Sequence, residues 1–133
     1  MEKSVKNSLR AAQPGGAYSQ GIAWGGLFIT AGMGPTDPIT GEVVGATIDV
    51  QTRRVLQSLQ ALLEDNGLSF NDVLKVTVHL QDLDRDFAGF DAVYREFFSP
   101  PYPVRTTVGS RLANILVEID LMCADDRLAD GNV

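Results

Sequence analysis

The chain has 133 residues, enough for one domain and too few for two of ordinary size. It is 44% hydrophobic and 21% charged, a globular composition that lets a chain of this length bury somewhat under ~70% of its unfolded surface. With 11 Lys and Arg against 17 Asp and Glu the formal charge is -6, which stands against nucleic acid as the main partner, because phosphate binding needs a basic face.

Cys123 is the one cysteine, which excludes an internal disulfide and points to a reducing, cytoplasmic compartment. It falls in an apolar strand and reads as a buried residue rather than a reactive thiol. No apolar run follows the charged start MEKSVKNSLR, so no signal peptide is expected, and no stretch is long enough to cross a bilayer.

In chain order, YSQGIAWGGLFITAGM predicts two short strands around a turn at Gly25-Gly26, and TDPITGEV is turn chemistry. From Thr47 the period changes: Val55, Leu56, Leu59, Leu62 and Leu63 share one helical face, and Gly67 sits where a C-terminal cap belongs. VLKVTVHLQD alternates, with Val76, Val78 and Leu80 on one side and Lys75, Thr77 and His79 on the other, as in a strand with one buried face. His79 is the only histidine; with no second ligand or nucleophile pattern beside it, it reads as structural or solvent-facing. A second helix is expected from about Asp86, as N-cap, through Phe87, Phe90, Tyr94, Phe97 and Phe98, an aromatic stripe suited to core packing.

SPPYP breaks that helix, and PVRTTVGSRLANILVEIDLM reads as a closing hairpin. A turn at Ser110 to Ala113 sets Gly109 opposite Asn114, Val108 opposite Ile115, Thr107 opposite Leu116 and Arg105 opposite Glu118. In that register the two charges share one face, while Val117, Ile119 and Leu121 point to the helices. The pair is then either a cross-strand ion pair of little energetic weight or a small-anion site with an acid or base beside it. Two amphipathic helices on one face of a single sheet give an α+β fold over residues 1–133, with 125–133 a polar tail. The other sheet face must meet water, a ligand or another subunit.

The segments PGGAYSQGI, LFITAGM followed by TGEV, VLKVTVHLQDL, FDAVYREFF, PVRTT and VEID, in this order, resemble the YjgF family, also called Rid for reactive intermediate deaminase. The likeness runs from about Gly15 to Ala124. It implies a chorismate-mutase-like fold assembled as a homotrimer, with sheets meeting around the threefold axis and sites in the clefts between subunits. It also implies cofactor-free and metal-free hydrolysis of enamines and imines, such as 2-aminoacrylate and 2-iminopropionate, to 2-keto acids and ammonia. By this resemblance Arg105 of the PxR motif clamps the substrate carboxylate, Glu118 handles the attacking water, Tyr18 lines the pocket and a backbone amide near Gly32 helps bind the carboxylate.

Ala17, Ala31, Met33 and Thr107 depart from the residues common in deaminating members, proline, serine, glutamine and cysteine respectively. They make one wall of the expected pocket, where Ala31 and Thr107 would line the substrate, less polar. Two alternatives follow: a pathway-specific deaminase of a larger unsaturated amino acid, of the aminomuconate type, and a non-catalytic trimer that binds small carboxylates. Ribonuclease and translation-inhibitor labels attach to some relatives, but the acidic balance and the lack of a basic aromatic surface stand against nucleic acid here.

Overall fold

The structure is a computed structural model that describes residues 2–127. Its elements are β1 (Ser4–Lys6), β2 (Gly21–Trp24), β3 (Leu27–Thr30), α1 (Ile48–Glu64), β4 (Val73–Leu80), α2 (Leu83–Phe97), β5 (Val104–Gly109) and β6 (Val117–Ala124), with a short 3-10 turn at Phe70–Asp72 before β4. They form one six-stranded sheet in the order β1-β2-β3-β6-β4-β5. The α+β class with two amphipathic helices on one sheet is as the sequence predicts. The polar lead adds β1, and the expected tail lies mostly beyond residue 127, outside the described residues.

The buried faces follow the sequence periods. Val76, Val78 and Leu80 of β4 and Val117, Ile119 and Leu121 of β6 form one layer, packed against Val55, Leu56, Leu59, Leu62 and Leu63 of α1 and Phe90, Val93 and Tyr94 of α2. Full burial of each such side chain contributes about 1.5–3 kcal/mol. Beyond the end of α1, the backbone N–H groups of Gly67 and Leu68 donate to Glu64 O and Leu63 O. This closure needs the left-handed φ of +80° that Gly67 adopts. Gly25, at φ +59°, turns the β2–β3 hairpin as expected.

The cap of α2 differs from the sequence reading. Asp82, not Asp86, is the N-cap, its side chain accepting from Arg85 N. Asp86 lies inside the first turn, buried and ion-paired with Arg85 at 2.9 Å. Both aspartates precede the aromatic stripe, and the cap goes to the earlier one because it carries the extended φ that starts the helix.

The larger correction concerns the last two strands, which do not form a hairpin. β5 pairs parallel with β4, and β6 pairs antiparallel with β4 on the other side and with β3. β4-α2-β5 is thus a parallel crossover unit, whose helix carries the chain back to start β5 in the direction of β4. The loop between β5 and β6 is held by other partners: Leu112 N donates to Gln81 Oε1 at 2.6 Å, Leu116 N to Gln51 Oε1 at 2.8 Å and Gln81 N to Leu116 O at 3.0 Å.

Candidate functional site

With β4 between them, β5 and β6 lie about 9–10 Å apart. Arg105 is in register with Val76, and Val76 with Leu121, whereas Glu118 is in register with His79. Arg105 therefore stands on the helix side of the sheet and Glu118 on the open side. They are not cross-strand neighbours within one chain, contrary to the expected register.

Glu118 lies in a cleft of about 660 Å³ that also receives Tyr18, Ala31, Gly32 and Met33, with Gln13, Pro14 and Ile115 on its walls. Met33 zips onto β6: Met33 N donates to Ile119 O at 2.7 Å and Ile119 N to Met33 O at 3.1 Å. That bridge draws Gly32 against the glutamate. A Cβ at position 32 would stand 2.8 Å from Glu118 Cδ and 3.0 Å from Oε1, so a side chain there has to push the flexible carboxylate out of this position. The N-terminal wall is set by Gln20, whose side chain accepts from Ser8 N and donates to Ala12 O, while its backbone carbonyl accepts from Ala31 N. Tyr18 is 53% exposed and curls over its own loop, its hydroxyl accepting from Gly15 N at 3.0 Å.

Arg105 lines a second, smaller cleft of about 280 Å³ with Asp91, Tyr94, Arg95, Tyr102 and Pro103. Its Nη1 donates to Asp91 Oδ1 at 2.8 Å, and its guanidinium stands 4.6 Å from the Tyr94 ring centre and 5.4 Å from that of Phe90. Arg95 holds the other Asp91 oxygen at 2.9 Å. Burial works to raise the Asp91 carboxyl, but the hydrogen bonds from Arg105 and Arg95 outweigh it and hold it below the ordinary aspartate value. Burial pushes the Tyr94 hydroxyl up to about 12. Thr107 is in register with Val78, so it shares the face of Arg105 and not the cleft of Glu118.

The six site residues predicted from sequence thus separate into two groups, with Tyr18, Ala31, Gly32 and Glu118 in one cleft and Arg105 and Thr107 on the opposite face of the sheet, where Arg105 lines the second cleft. Of the immediate neighbours of Arg105, Tyr94 lies in the core as the aromatic stripe predicts, whereas the sequence analysis does not single out Asp91. Asp91 follows Phe87 by four residues and precedes Tyr94 by three, so a carboxylate on an otherwise aromatic helical stripe was the available signal. Cys123 is fully buried, and burial pushes its thiol up to about 12, as expected of an inert residue. Among the described residues no cluster of three metal-ligating side chains occurs, and no helix is long and apolar enough to cross a membrane.

A family model described as endoribonuclease L-PSP matches residues 8–124. A RutC family protein of Pyrococcus abyssi is 45% identical over 122 residues, which cover 90% of this chain and 95% of that protein. RidA from an Antarctic Psychrobacter is 31% identical with a TM-score of 0.85, over 91% of this chain and 98% of that one. E. coli TdcF, solved with bound serine, is 32% identical with a TM-score of 0.83, again over 91% and 98%.

Two outcomes follow from this geometry. Gly32→Ala displaces the flexible Glu118 carboxylate and leaves the backbone in place, so it changes stability by no more than about 0.5 kcal/mol in urea denaturation; a much larger loss would show that the strand itself has to move. The lowered Asp91 carboxyl contributes stability that is present above the ordinary aspartate value of about 4 and lost as pH falls through the lower folded value. The melting temperature of wild type therefore exceeds that of Asp91→Asn near neutrality, and the gap closes on acidification; a gap unchanged by pH would show that the ion pair does not set it.

Proposed function

The chain belongs to the endoribonuclease L-PSP family, also called YjgF/Rid, and from that membership we propose that it hydrolyses small enamine and 2-imino acids to 2-keto acids and ammonia. The observation that carries the reading is the placement of Glu118 in a cleft of about 660 Å³, pressed against Gly32. The proposed catalytic residues are Glu118, Arg105 and Tyr18.

Because Arg105 and Glu118 occupy opposite faces of one sheet, the working site is proposed to form between copies in a homotrimer, the cleft of one receiving Arg105 of the next. The open sheet face supports such an assembly, since Leu27, Ile29, Val108 and Met122 leave apolar surface exposed on it.

In this scheme an enamine first gains a proton at carbon and loses one from nitrogen, which makes it the imine. Arg105 takes the substrate carboxylate in paired hydrogen bonds and fixes the imine carbon. Glu118 accepts a proton from water as its oxygen bonds to that carbon, and the nitrogen takes up a proton. The resulting carbinolamine collapses: its hydroxyl proton passes to nitrogen, the C–N bond breaks as the C=O bond forms, ammonia departs and the keto acid remains, so one water is consumed per ammonia released. Tyr18 at the cleft and the apolar Ala31 and Met33 bound the side-chain space, which suits an apolar substituent and leaves room for the longer, aminomuconate-type substrates. A second reading, carboxylate binding without turnover, draws on the serine found in TdcF.

The test is release of ammonia and keto acid from freshly generated 2-iminopropionate. Wild type accelerates it over buffer, and Glu118→Ala and Arg105→Ala each lower the rate by about 10²–10⁴-fold. Saturable carboxylate binding with no acceleration would move the reading to the binding protein.

A further inference from the structure

The one histidine stands beside the glutamate on which the proposed deamination depends. β4 and β6 run antiparallel in a register that sets His79 opposite Glu118 and Thr77 opposite Asp120. Residues directly opposed in such a ladder keep their Cβ atoms about 4.5–5.5 Å apart with side chains on one face. The ring is anchored: His79 Nδ1 and Ser110 Oγ share a hydrogen bond of 2.6 Å, and Ser110 N donates to Leu80 O at 2.9 Å.

Imidazole is the side chain whose charge changes between pH 5 and 8. A neighbouring cation favours the ionised form of a carboxylate and makes it the weaker base. We propose that His79 is a positioning residue that tunes Glu118: charged, it weakens the glutamate as a base, and neutral, it lets the glutamate take the proton of the attacking water more readily. This rests on the reading of Glu118 as the group that takes that proton.

The charged surroundings of the ring are defined by the three strands that meet there. From β6, Asp120 lies one same-face position beyond Glu118. Burial raises the Asp120 carboxyl while His79 and then Lys75 pull it down, so the field of the ring reaches Asp120. From β4 itself, Lys75 is two same-face positions away and donates to Thr106 Oγ1 at 2.5 Å. On this side β5 contributes the neutral Thr106 and Val108, and Arg111 follows Ser110 in the connecting loop. Both helices pack on the opposite face, against Val76, Val78 and Leu80.

The test compares deamination by wild type and His79→Gln from about pH 5.5 to 8, taken as a ratio at each pH so that the chemistry of the free substrate cancels. The ratio of wild type to variant is expected to fall by about two- to five-fold from the upper to the lower pH, in kcat rather than KM. A histidine that serves only the fold would scale the ratio equally at every pH. A pH-independent ratio therefore overturns the inference and leaves the deaminase reading standing, whereas no acceleration by wild type at any pH overturns both. His79→Thr, a residue that strands favour, carries the same comparison should the glutamine variant not fold.

Discussion

The insertion of β6 between β3 and β4 is the constraint on which the rest of the structure depends. Once β6 occupies that gap, Val117, Ile119 and Leu121 are committed to the core, and Glu118 and Asp120 to the open face. A slip by one residue would put two carboxylates under the helices and three apolar side chains outside, so the register is strongly specified. The same strand accepts the Met33 bridge, which lays the 31–33 segment along Glu118. The cleft is therefore a consequence of core packing, and Gly32 leaves the Glu118 carboxylate free to lie where it does.

Arg105 meets a different set of demands. Its side chain is 23% exposed, and a half-buried guanidinium needs compensation for lost water. Asp91 supplies a charge-assisted hydrogen bond, while Tyr94 and Phe90 offer ring faces worth about 0.5–2 kcal/mol by cation–π attraction. The recorded bond to Asp91 uses Nη1, one arm of a five-donor fork, which is how an arginine can be both anchored and available to a substrate carboxylate. Asp91 is in turn shared with Arg95, so the local charge remains cationic in a chain whose formal charge is -6.

Most of the fold was legible because its signals were local. The leucines of α1, the alternation of β4 and the Gly25 turn each report a period or a backbone need that tertiary structure left unchanged. The expected closing hairpin does not form, because adjacency in sequence does not imply adjacency in the sheet. A strand, a helix and a second strand, as in β4-α2-β5, favour a parallel pair, and a parallel β5 on one side of β4 leaves its other side for β6. The seven residues from Ser110 to Leu116 were a second sign, since they are held by Gln51 and Gln81 rather than by a tight turn. Of the residues expected at the site, Tyr18, Gly32 and Glu118 converge within one chain and Arg105 does not join them, because sequence adjacency does not report which strand lies between two others.

The central claim, that Arg105 and Glu118 act together across two copies of the chain, is tested most directly by mixing two inactive variants. Arg105→Ala and Glu118→Ala are unfolded, combined in equal amounts and refolded together, and deamination of 2-iminopropionate is measured. Random assembly of a cyclic trimer places an intact Arg105 beside an intact Glu118 at about one quarter of the interfaces, so activity should return to about that fraction of wild type. No recovery from a mixture that has refolded into trimers would contradict the shared site.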